Sequence, residues 1–151
     1  MKLAATAKIN LGLHVLGRRP DGYHDLVSIL QQVSFSDFLI IRAAPSPGLR
    51  FKCSNSELDG ENNLVCQAAR LLMEVAGEKL PGVSLALFKN IPVGAGLGGG
   101  SSDAAAALKG LNVFWNLGLC RQELVNLGAR LGSDIPFFLL AAILSRTRSA
   151  P

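Results

Sequence analysis

The sequence predicts an α+β domain built in layers, with strands early and helices late. Two observations carry that reading. Stretches that alternate apolar residues with others come first, and stretches with apolar residues three and four apart come later. In the middle, Val83-Ser84-Leu85-Ala86-Leu87-Phe88 alternates like a strand, a glycine-rich loop follows, and Ala104-Ala105-Ala106-Ala107-Leu108 is a run of strong helix formers. A length of 151 residues suits one domain, and a 49% hydrophobic share supplies its core.

Residues 3–17 open the chain, and from Ile9 they alternate as a half-buried strand does, which puts Lys8 and Asn10 on one face. Arg18-Arg19-Pro20-Asp21-Gly22 has the chemistry of a turn. A second strand is expected over 26–35, a third over 39–41 and a fourth over 49–53, with Pro45-Ser46-Pro47-Gly48 as a hairpin between the last two. Leu64-Val65, Ala68-Ala69, Leu71-Leu72 and Val75-Ala76 form one face of an amphipathic helix, with an Asn of the Asn62-Asn63 pair as its cap and Gly77 at its end. The helix after the glycine loop is expected to reach about Leu117 and stop at Gly118. Another short helix spans 121–131 and ends at Gly132. From Leu139 the chain turns apolar without a clear period, then polar. Residues 1–138 therefore read as the domain, and 139–151 as a divergent tail of a chain cut short.

The bulk properties exclude several classes. The net charge is +4, and no basic block with interleaved aromatics occurs, so no nucleic-acid partner is implied. The positive balance does suit an anionic substrate. Cys53, Cys66 and Cys120 are odd in number and widely spaced, which reads as ordinary thiols in a reducing, cytoplasmic setting. Two histidines, His14 and His24, argue against a zinc site. The start shows no signal or transit segment, and the longest apolar run, 135–144, is too short to span a bilayer. No membrane partner is expected.

The chemistry centres on Pro92-Val93-Gly94-Ala95-Gly96-Leu97-Gly98-Gly99-Gly100-Ser101-Ser102-Asp103. Glycines let a ligand come close to the amides, and a helix start leaves N–H groups unpaired at the positive end of its dipole. Together these make an anion site, most often for phosphate. The loop lacks the Gly-Lys-Ser/Thr close of a Walker loop, and Gly94-x-Gly96-x-x-Gly99 does not fall in a first βα unit, as a dinucleotide fingerprint would. Ser101 and Ser102 could cap the helix, bond a phosphate or reach a bound Mg²⁺. Asp103 reads as a cap-region carboxylate that favours the helix dipole. Lys8 is either a solvated strand lysine or an ammonium that holds negative charge at a substrate hydroxyl. Asp134 is either a turn or cap aspartate or a general base. Tyr23 and His24 are either a packed aromatic with a surface imidazole or a stacking face with a hydrogen-bonding edge for a nucleobase.

Four motifs in order resemble the GHMP kinases, the group of galactokinase, homoserine kinase, mevalonate kinase and phosphomevalonate kinase. They are Ala7-Lys8-Ile9-Asn10-Leu11, Asp21-Gly22-Tyr23-His24, the glycine loop, and Leu131-Gly132-Ser133-Asp134-Ile135-Pro136-Phe137-Phe138. Asn63-Leu64 with Ala68-Ala69-Arg70-Leu71-Leu72 also fits, and the likeness covers about 5–138. Within the family, the chain most resembles the branch acting on a cytidine-diphosphate-linked methylerythritol in the non-mevalonate route to isoprenoids.

The resemblance implies a two-layer α/β sandwich like the second domain of ribosomal protein S5. It also implies ATP and Mg²⁺, with a small-molecule cytidine diphosphate as the other substrate. By the same resemblance, Asp134 is the base and Lys8 its charge partner, Asn10 holds the polyol, and Tyr23 and His24 take the cytosine. Pro92, Gly94, Gly96, Leu97, Gly98, Gly99, Gly100, Ser101 and Ser102 wrap the ATP phosphates, and Asn63 lies by the adenosine. The metal's ligands stay open. Members of the family run to roughly twice this length and continue into a second domain. The chain is therefore expected to be an N-terminal half, truncated and weakly active or inactive, with exposed core surface that favours self-association. Another small-molecule kinase of the group, or a non-catalytic S5-like module, are the alternatives.

Overall fold

The computed structural model describes residues 1–18, 24–77 and 80–140. Among these residues four strands form one sheet in the order β1-β2-β4-β3. They are β1 (Lys2–Arg18), β2 (His24–Ala43), β3 (Leu49–Cys53) and β4 (Val83–Phe88). Four α-helices lie among the described residues: α1 (Leu64–Ala76), α2 (Gly99–Phe114), α3 (Arg121–Leu131) and α4 (Ile135–Leu140). The α+β class and the layering expected from the sequence are both observed.

Strand period puts one face of the sheet under the helices. Cross-strand pairing aligns Leu3, Leu39, Leu87 and Cys53 in one row, and Ile41, Leu85 and Phe51 in the next. Leu39, Ile41, Leu85 and Leu87 are all buried. The other face carries Lys2, Arg42, Ser84, Arg50 and Lys52, with the Lys2 ammonium 4.2 Å from the centre of the Phe38 ring. Each fully buried leucine or isoleucine in those rows contributes about 1.5–3 kcal/mol of transfer free energy, so register is strongly specified.

The alanine run lets α2 lie close on the sheet. Ala104, Ala105 and Ala107 are buried, and a side chain at Gly110 would run into Leu3 and Ile41. α1 packs Val65, Ala68, Ala69 and Leu72 into the same core, as its spacing predicts. Its cap is Asn63, whose Oδ1 accepts from the Val65 amide at 2.9 Å, and Gly77 closes it at φ 63°.

Three expectations are corrected. The second and third strands are one strand, β2. The polar stretch Ser34-Phe35-Ser36-Asp37 does not break it, because β1 stays paired through a bulge between Thr6 and Lys8, and the Asp37 carboxylate is bonded internally. The loop 44–48 is not a hairpin, since β4 inserts between β2 and β3 and pairs with both. Only a long-range apolar strand decides that order. Finally, α2 ends at Phe114 rather than near Leu117. Asn116 takes the left-handed conformation at φ 53°, and the Leu117 amide bonds back to the Asn112 carbonyl at 3.0 Å, a Schellman ending that needs no glycine at that position.

The turn expected over 18–22 lies outside the described residues apart from Arg18. α4 carries the chain through Leu140, with Leu139 buried, and the rest of the expected tail lies outside the described residues. Among the described residues no helix is long and apolar enough to cross a membrane. Cys53, Cys66 and Cys120 are free thiols, and burial pushes Cys66 up to about 11, which leaves it a packing residue at neutral pH.

Candidate active site

A cleft of about 480 Å³ opens between the glycine loop, the start of α1 and the turn before α4. The loop leaves β4 at Lys89 and reaches α2 at Gly99. Gly94, Gly96 and Gly98 each take a left-handed φ of 71–73°. Gly98 needs it most. It is the residue before α2, and a Cβ there would also stand 2.9 Å from the Phe138 ring and 3.0 Å from Lys8 Cγ. No side chain caps α2, and its first internal bond runs from the Ser102 amide to the Gly98 carbonyl at 2.9 Å. The start of α2 therefore borders the cleft with backbone amides uncapped, as an anion site requires.

The two serines diverge. Ser101 lines this cleft, whereas Ser102 is 3% exposed and lines a second cavity beside Lys2, Thr6 and Lys109. Neither caps the helix, because α2 starts two residues earlier, at Gly99.

β1 brings Lys8 to the cleft twice over. Its amide donates to the Leu97 carbonyl at 2.9 Å, which ties the loop to the sheet edge. Its ammonium donates to Asn10 Oδ1 at 2.8 Å and stands 4.0 Å from Asp134 Oδ2. The Lys8 side chain is 12% exposed and that of Asp134 47%. Asn10 Nδ2 in turn donates to Ser28 Oγ at 2.9 Å, and Ser28 donates to the Gly12 carbonyl. Asn63 lines the opposite wall, with both ends of its amide used inside the protein: Oδ1 caps α1, and Nδ2 donates to the Leu58 carbonyl at 3.0 Å. Tyr23 lies outside the described residues. The backbone of His24 opens β2, and its side chain lies outside the description.

Sequence reasoning missed Asp37, Lys89 and Ser28, and misplaced Asp103. Asp103 is the fifth residue of α2, past the first turn, so it does not serve the helix dipole. It is buried, and its Oδ2 accepts from Lys89 Nζ at 2.8 Å. Lys89 also donates to Asp37, whose other oxygen accepts from the Ile91 amide at 2.8 Å. A lysine directly after an apolar strand, with an aspartate in the middle of another, was the available signal.

Burial pushes the Asp103 carboxyl up to about 7 against the pull of Lys89, and its Oδ1 has no hydrogen-bond partner among the described residues. Burial also opposes the charge on Lys89, but its bonds to Asp103 and Asp37 outweigh that and raise its pKa. The folded protein thus holds the Asp103 proton more tightly than the unfolded chain does. Its contribution to stability is full below about pH 4 and is lost as pH rises towards 7. Asp103→Asn is expected to remove that pH dependence. Urea unfolding at pH 4, 5, 6 and 7 should show wild type losing a few kcal/mol against the variant across the range. Parallel profiles would refute this.

A family model, GHMP kinases N terminal domain, matches residues 63–142, more than half of the chain. The chain belongs to the GHMP kinase family. This GHMP kinase domain is 51% identical over 139 residues to a 4-diphosphocytidyl-2-C-methyl-D-erythritol kinase of Methylococcus capsulatus, covering 92% of this chain and 47% of that one. It is 49% identical to the protein of the same name from a Synechocystis strain, covering 89% of this chain and 44% of that one. A crystal structure of 4-(cytidine 5'-diphospho)-2C-methyl-D-erythritol kinase superimposes with a TM-score of 0.82 at 44% identity, over 93% of this chain and 49% of that one. The GHMP kinase domain therefore spans about half the length of the curated relatives it matches.

Proposed function

We propose that this chain carries the ATP-binding and catalytic half of a small-molecule kinase. It would phosphorylate the 2-hydroxyl of 4-diphosphocytidyl-2-C-methyl-D-erythritol, in the non-mevalonate route to isoprenoids. One observation supports this above the others: Lys8, the glycine loop and Asp134, far apart in sequence, line a single cleft.

In this reading the backbone amides at the end of the loop and the start of α2 hold the ATP phosphates, with Ser101 beside them. The wall formed by Asn63 and Leu64 faces the adenosine. Asn63 shapes that wall through its capping bonds and leaves little of its amide for the ligand. Asp134 takes the proton of the attacking hydroxyl, and Lys8 balances the charge beside it. Asn10 stands beside Lys8, and because Lys8 and Ser28 occupy both ends of its amide it would meet the polyol by exchanging one of those bonds. Tyr23 and His24 would meet the cytosine. Positioning supplies most of the rate, since phosphoryl transfer asks little covalent chemistry of the protein.

Among the described residues no group of three or more His, Cys, Asp or Glu is placed to hold a metal ion. In this reading Mg²⁺ would arrive with the nucleotide, carried largely by its phosphates and water with few protein ligands. Bound there, it would neutralise phosphate charge. Residues 1–138 form the catalytic domain in this reading, and three free thiols suit a cytoplasmic, reducing setting. Leu11, Leu16, Val27 and Ile29 are exposed on the β1–β2 ribbon, which supports self-association through that surface.

Calorimetry of the chain with Mg·ATP tests the reading. Saturable binding that inorganic pyrophosphate competes away is expected. Salt-dependent RNA binding with no response to Mg·ATP would instead favour a non-catalytic S5-like module.

A further inference from the structure

The loop's ends are joined at the floor of the cleft, which Lys89 and Asp103 help to line, by a cluster that the proposed chemistry does not use. Asp37 of β2 is 0% exposed, Asp103 of α2 is 2% exposed, and the Lys89 side chain between them is 7% exposed. Asp37 Oδ1 accepts from the amides of Asn90 and Ile91, which fixes the start of the loop to β2. Asp37 Oδ2 accepts from Lys89 Nζ, and the same ammonium reaches Asp103, which fixes the end of the loop. The ammonium also lies 3.2 Å from where a Gly99 Cβ would be, directly under the first residue of α2. Ile91 touches the same spot at 3.0 Å.

We propose that Lys89 is a positioning residue, a strut that holds the start and end of the glycine loop at a fixed separation so that its amides are arranged before phosphate arrives. The proposal rests on reading the loop as a nucleotide-phosphate site. Lys89 is not a phosphate ligand here, because its ammonium is turned inward onto two carboxylates. Nor does the cluster attract anions by its charge: with all three groups ionised it sums to a negative charge under the loop. Stability alone does not account for it either, since a buried ion triad is often no better than an apolar replacement of the same volume. What the cluster uniquely does is join three segments that are 52 and 14 residues apart along the chain through one atom. Residues 92–96 are exposed, and among the described residues none anchors them in this way, so their geometry depends on where their ends are held.

The strut makes a quantitative prediction. If Lys89→Met leaves the loop competent only about a tenth of the time, nucleotide affinity falls about tenfold, and the bonded amides at the loop's ends, those of Asn90, Ile91 and Ser102, exchange faster by at least about that factor. Both are measured on the 151-residue chain, by Mg·ATP calorimetry and by hydrogen exchange without nucleotide, with the β4 amides as internal reference. Lys89→Met strands two buried carboxylates, so the triple variant Lys89→Met, Asp37→Asn, Asp103→Asn is measured beside it. That variant removes the buried charges together and is expected to recover thermal stability while its loop still exchanges fast and binds weakly. Recovery of loop protection and affinity along with stability would overturn the proposal, because the triad would then be a stability element only. Unchanged loop exchange in Lys89→Met would overturn it as well. A wild-type chain that takes no Mg·ATP refutes the nucleotide reading instead, and the strut then stands or falls on the exchange arm.

Discussion

On the proposed kinase reading, Asp134→Asn lowers phosphoryl transfer by about 10²–10⁴-fold, the range a positioned general base contributes, while Mg·ATP affinity stays within about twofold of wild type. Asp134 stands in the turn before α4 with its carboxylate 4.0 Å from the Lys8 ammonium. Asparagine keeps the size and the turn but removes the proton acceptor. The side chain is 47% exposed, so solvent screens its pairing with Lys8 and little stability rides on it. A fall in rate would therefore not be an unfolding effect. The measurement is single-turnover transfer from labelled ATP to 4-diphosphocytidyl-2-C-methyl-D-erythritol, with calorimetric binding alongside. An unchanged rate, or affinity that drops in step with it, removes Asp134 from the role of base.

Gly82→Ala is expected to lower folding stability by about 3 kcal/mol or more, the upper part of the range for overpacking a buried site. A Cβ at Gly82 would stand 1.9 Å from the Ser46 carbonyl oxygen, 2.8 Å from its carbon and 3.2 Å from Pro47 Cα. All three are backbone atoms, so no side chain can swing aside. The loop 44–48 is also tied down at this point, by the Ala44 amide on the Gly82 carbonyl and the Val83 amide on the Gly48 carbonyl, both at 2.9 Å. Moving the loop breaks those bonds and disturbs the junction of β2, β3 and β4. Urea unfolding against Gly60→Ala gives the contrast, because nothing lies within 4 Å of a Cβ at Gly60. Equal stability of the two variants would show that the loop gives way freely.

Local pattern carried most of the elements. α1, β4 and α3 lie where apolar period and their caps put them, since each is specified by neighbours within a turn or two. Misreadings came where a distant partner overrides the local signal. Ser36-Asp37 looks like a break in a strand until the carboxylate meets Lys89 and the amides of Asn90 and Ile91, residues with no local mark of that role. The hairpin at 44–48 failed for a similar reason: its residues are right for a reversal, and only the insertion of β4 separates the two strands.

The candidate site divides in the same way. The glycine loop announces an anion site because its conformation is set by residues next to one another, and glycine is what the left-handed positions admit. The motif order also pointed to the GHMP kinases without any coordinates. Lys8 and Asp134 stayed ambiguous as single residues, because a lysine in a strand and an aspartate before a helix have ordinary structural uses.

What the sequence by itself determined was the class of fold, the phosphate-type loop and the family. What only the tertiary structure decided was the strand order, the approach of Lys8 to Asp134, the turning of Ser102 away from the cleft, and the ion cluster beneath the loop. Period and turn chemistry act over a few residues. Pairing of buried charges and insertion of a strand are settled by which distant groups can satisfy one another once water is excluded.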